Sequence, residues 1–63
     1  MKPEFEIVRT AGGDEGPHSF FVNGDRVGFC DHDTHGWDGI AEQIRMFKAI
    51  ADVLGVEVLE VDE

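Results

Sequence analysis

His18-Ser19-Phe20-Phe21-Val22-Asn23-Gly24-Asp25-Arg26-Val27-Gly28-Phe29-Cys30 is the stretch from which the fold can be read. Two apolar runs, 18–22 and 26–30, flank Asn23-Gly24-Asp25, and Asn and Gly tolerate the positive φ that a tight hairpin turn demands. The runs are therefore expected to be antiparallel strands. Alternation places Phe20 and Val22 on one face, and Val27 and Phe29 together on one face of the second strand. Gly28, inside that strand, points to a bulge or to a bulky neighbour packed where a side chain would stand.

Toward the N-terminus, Glu4 to Arg9 sets Phe5 and Ile7 on one side and Glu4, Glu6 and Val8 on the other, the pattern of a half-buried strand. Thr10 to Pro17 holds three of the eight glycines and a proline, the composition of a mobile connection. Toward the C-terminus the period becomes helical. Ile40, Ile44, Phe47, Ala51 and Leu54 recur at spacings of four, three, four and three, which predicts a core-facing helix over 38–54 with Asp38 as N-cap and Gly55 as the residue that stops it. The run 56–61 follows as a last strand, with Val56 and Val58 on one face and Leu59 and Val61 on the other. Apolar on both faces, such a strand is expected in a sheet interior or paired outside the monomer.

The whole chain, 1–63, thus reads as one α+β domain of order β-β-β-α-β, with strands near 4–9, 18–22, 26–30 and 56–61 and a helix near 38–54. The sheet is four-stranded and mostly antiparallel, with the helix packed on one face and the other face uncovered. A right-handed crossover makes the last strand run parallel to the third. The five-residue helical stripe spans about 80°, and Met46, Ile50 and Val53 widen the apolar arc to about 180°, more than one small sheet needs.

The charge sets limits on partners. Fourteen Asp and Glu against five Lys and Arg leave a net charge of −9, which disfavours direct contact with nucleic acid or an anionic membrane. With 41% hydrophobic residues the chain should nonetheless fold, around a single small core. One cysteine, Cys30, excludes an intramolecular disulfide framework, and neither a signal peptide nor an apolar run of about 18 residues is visible, so a cytoplasmic protein is expected. A core this small often gains stability by pairing, and a homodimer is the expected assembly.

The residues with the most chemistry lie in 30–42. Asp31, Asp33, His35, Gly36, Trp37 and Glu42 fall at positions 1, 3, 5, 6, 7 and 12 of a pattern that resembles the twelve-residue calcium loop, with hard oxygen ligands around a tight turn. The resemblance implies Ca²⁺ on Asp31, Asp33, His35 and Glu42. It departs from the pattern in the imidazole at position 5, in Asp38 at position 8, and in the strand that leads in. Cys30, His32 and His35 with Asp31 or Asp33 offer a Zn²⁺ set, although not at a common finger spacing. No other cofactor is expected. Against both stands a plainer use for Asp31, Asp33 and Asp38, whose charge suits the positive end of a helix. Trp37 beside them is expected to fold over the sheet edge, His18 to be a surface or edge histidine, and Cys30 to be a buried strand cysteine.

The function expected from these features is non-enzymatic: a small acidic interaction module, an inhibitor or regulator of the phage or mobile-element type. It would bind a basic protein surface, including that of a nucleic-acid-binding protein. The expected interaction surface comprises Trp37, Met46, Ile50 and Val53 with the carboxylates Asp31, Asp33 and Asp38. The alternative is a Ca²⁺ or Zn²⁺ protein built on 31–42.

Overall fold

The computed structural model describes residues 2–10 and 16–63. The expected mobile connection falls largely on 11–15, outside the described residues. The elements run β1 (Phe5–Arg9), β2 (His18–Val22), β3 (Asp25–Cys30), α1 (His32–Val53) and β4 (Val58–Asp62), the predicted β-β-β-α-β order.

Asn23 and Gly24 both take positive φ, 53° and 84°, and form a two-residue turn of the hand that suits twisted strands. Asp25 therefore belongs to β3, opposite Val22. Asn23 also ties the hairpin to β1: its backbone N–H donates to Glu4 O at 2.8 Å, and its Oδ1 accepts from Glu4 N–H at 2.9 Å.

The sheet order is β3-β2-β1-β4, with two antiparallel pairs and one parallel pair. β4 runs in the direction of β3, as expected, but its hydrogen-bonded neighbour is β1. The crossover through α1 thus passes over two strands. β4, expected inside the sheet or paired beyond the monomer, is an edge strand with Leu59 exposed.

Phe5 and Ile7 of β1, Phe20 of β2 and Cys30 of β3 meet Ile40, Phe47 and Ala51 of α1 in the core, with Val22, Ile44, Val56 and Val58 packed around them. Phe47 is the hub. Its ring lies 4.9 Å from that of Phe5 and 5.0 Å from that of Phe20, both tilted, a geometry that suits aromatic quadrupoles.

Two expectations about the helix fail. Asp38 is not the cap: α1 begins six residues earlier, where Asp31 has extended backbone and its Oδ1 accepts the Thr34 N–H at 2.7 Å. Gly36 interrupts the helix with φ 70° and ψ 176°, a conformation costly for a residue with a Cβ, so a capped first turn precedes the long segment. Leu54 is also not in the core. It is the C-cap and is half exposed, while Gly55 N–H to Asp52 O and Val56 N–H to Ala51 O, both 3.0 Å, turn the chain toward β4. The reason is length. Five-residue strands extend about 17 Å, whereas seventeen helical residues after Gly36 extend about 25 Å, so the last turn overhangs the sheet.

Candidate functional site

The acidic stretch 31–42 forms the capped turn and the start of the long helical segment. Asp31 takes the Thr34 N–H, and its own N–H meets His35 Nδ1 at 3.3 Å. Thr34, first through its backbone N–H and then its hydroxyl, holds the Asp31 carboxyl below the usual carboxylate range. Asp33 stands in the first turn, and Glu42 pairs with Arg45 at 3.2 Å. Among the described residues no three His, Cys, Asp or Glu side chains gather as a metal-binding group. Trp37, expected over the sheet edge, is half exposed and meets the His32 ring edge-on at 4.8 Å.

Cys30 has no exposed surface, and burial, followed by the Asp31 charge, pushes its thiol pKa up, away from nucleophilic use. His18, expected at the surface, is 1% exposed. It shares the helix-facing side of β2 with Phe20, and its Nδ1 donates to Gly16 O at 2.8 Å, which satisfies a polar atom that burial would otherwise penalise. The pattern already implied this, since His18 is in phase with Phe20 and Val22.

β1, β3 and β4 share one direction, so the carboxyl ends of β3 and β4 lie at the same end of the sheet. That end carries Asp31 and Asp33 on one side and Asp62 and Glu63 on the other, about 14 Å apart across three strand spacings. Arg9 stands between them on β1. Its Nε donates to Asp62 Oδ1 at 2.7 Å and its Nη1 to Glu60 Oε1 at 3.4 Å, while Lys48 of α1 reaches Glu60 Oε2 at 3.4 Å. The other bases are also engaged: Lys2 with Gly55 O, Arg45 with Glu42, and Arg26 over the Phe29 ring. Among the described residues, ion pairs engage only Glu42, Glu60 and Asp62 of the acids.

The sheet face away from α1 bears two rows. Register aligns Phe29, Ser19, Val8 and Val61 in one, and Arg26, Phe21, Glu6 and Leu59 in the other. No described element covers this face. Phe29 and Leu59 are exposed, and Val8, Phe21 and Val61 are half-buried.

A third surface lies where α1 runs beside the β3 edge. The register slips between Phe20 and Phe21, so that Phe20 opposes Gly28 while Phe21 opposes Arg26. Val27 is the extra residue, and the bulge sends it to the helix side, away from Phe29, with which alternation had grouped it. Val27, Gly28, Gln43, Met46 and Ile50 border a cleft of about 190 Å³ floored by Phe20 and Phe47. Met46, Ile50 and Val53 are exposed along this side. Of the residues expected to form one interaction surface, Val53 lies sixteen residues from Trp37, about 24 Å along a helix. Val27 was missed, and only the Gly28 bulge signal hinted at it.

No known protein family, curated protein or solved structure matches the chain.

Proposed function

We propose that this chain is a small acidic interaction module that acts without chemistry of its own, by binding and thereby inhibiting or regulating a protein with a basic surface. The observation that carries this reading is the sheet face that no described element covers. Val8, Phe21, Phe29, Leu59 and Val61 present apolar surface there, next to a sheet end where, among the described residues, Asp31, Asp33 and Glu63 stand outside the ion pairs that engage Arg9, Arg45 and Lys48 with three of the acids. Apolar contact supplies affinity, and carboxylates outside ion pairs select cationic partners and speed their approach.

The test is titration of the chain against a panel of basic proteins at low salt and at about 0.5 M salt, where the Debye length falls below about 5 Å. Binding that weakens with salt, and weakens again in Leu59→Lys, supports the reading. Binding that responds to neither, or no binding at low salt, overturns it.

A further inference from the structure

We propose that the β3 side of α1 docks a second copy of this chain, helix against antiparallel helix, about a two-fold axis near Ile50. This surface is separate from the uncovered sheet face, and the inference does not depend on the basic-partner reading.

The spacing of the side chains along this side of α1 is the first argument. Gln43, Met46, Ile50 and Val53 follow one another at three, four and three residues, the seam of a helix that packs against another helix. The core of this monomer does not use that seam, because Ile40, Phe47 and Ala51 make the contact with the sheet. The opposite flank of α1 is tied down through Lys48 and Glu60, which leaves the seam on the β3 side. Val53 is 84% exposed, Met46 55% and Ile50 47%.

Self-complementarity is the second argument. A two-fold near Ile50 sets Met46 of one copy against Val53 of the other, and the reverse, which is what an isologous interface requires. Met46 also borders the 190 Å³ cleft, so Val53 of the second copy has a hole to enter beside Val27 and Gly28. Ala49, next to the axis, lets the helices approach.

Charge and area agree. Two chains of net charge −9 repel each other through most surfaces, but the seam carries no charged side chain, and Glu42 beside it is paired with Arg45. Val27, Met46, Ile50, Val53 and Leu54 expose on the order of 500 Å² of apolar side chain, at the upper range for one patch on a monomer and more than half of the ~800 Å² that each partner gives to a standard interface.

Sedimentation equilibrium of the full chain tests this. The expected mass is twice 7.0 kDa at about 100 μM chain, with tighter association as salt screens the repulsion, the reverse of the salt response expected for a basic partner. Val53→Asp, at a solvent-exposed position, should keep the circular dichroism spectrum of the folded chain and weaken the dimer by on the order of tenfold or more, as should Met46→Asp. Leu59→Asp, on the other sheet face, should leave the dimer intact. A mass of 7.0 kDa at about 1 mM, a dimer that survives both seam substitutions, or a dimer lost in Leu59→Asp and kept in Val53→Asp overturns the proposal.

Discussion

The ring of Phe20 lies over the position where Gly28 has no side chain: a Cβ there would stand 3.4 Å from Phe20 Cδ2. Gly28→Ala makes ordinary contact with the ring and should change stability by no more than about 0.5 kcal/mol. Gly28→Val adds two methyl groups against a ring that already packs on Phe47, and should cost about 1–3 kcal/mol by overpacking. Urea denaturation of the two variants checks this. Equal stability would mean that Phe20 has room to move.

Asp31 makes stability depend on pH at the acid end. Its carboxyl is held below its unfolded value by Thr34, so the contribution is present above the unfolded pKa and is lost as pH falls through the folded one. Asp31→Ala should lower the melting temperature at neutral pH, with a difference from wild type that closes in strong acid. Asp31→Asn, which can still accept the Thr34 N–H, should retain much of the cap. A pH-independent difference for Asp31→Ala would refute this account.

Cys30 should be unreactive until the protein unfolds. Burial raises its pKa above the ordinary 9.0, so the neutral thiol's contribution is complete below about pH 9 and is lost as pH rises through the folded value. Iodoacetamide at pH 8 should modify the native protein far more slowly than the urea-unfolded chain. Cys30→Ser, which puts a hydroxyl where the thiol has no exposure, should cost about 1–3 kcal/mol if that hydroxyl finds no partner.

Added Ca²⁺ or Zn²⁺ should leave the melting temperature unchanged. Asp31 is engaged with Thr34 and Glu42 with Arg45, and no metal-binding group forms among the described residues. An ion held by the native state alone at about 100 times its dissociation constant would add ~2.7 kcal/mol. A stabilisation of that size, removed by chelator and by Asp31→Asn with Glu42→Gln, would establish the metal site.

The elements were legible because each has a short-range cause. Asn23-Gly24 makes the hairpin turn, Phe5 with Ile7 marks a buried strand face, and Ile40, Ile44, Phe47 and Ala51 mark a helix face that ends at Gly55. The readings that failed depend on interruptions of those periods. Val27 leaves the face of Phe29 because one inserted residue defeats a period of two. Asp31 displaces Asp38 as cap because Gly36 allows a separate first turn. The candidate site was legible only in part: the exposed apolar helix positions were visible, but their separation from Trp37 and their meeting with Val27 were not.

By itself the amino-acid sequence determined the element order, the core faces of β1 and β2 and the excess of apolar helix surface, since these follow from periodicity and turn chemistry over a few residues. Tertiary structure alone decided that β4 pairs with β1, that Arg9 therefore meets Asp62 and Glu60, and that a bulge turns Val27 toward a cleft beside α1. Those outcomes depend on which strands become neighbours and how a helix longer than the sheet is laid across it. Such contacts join residues far apart in the chain, and no local pattern encodes them.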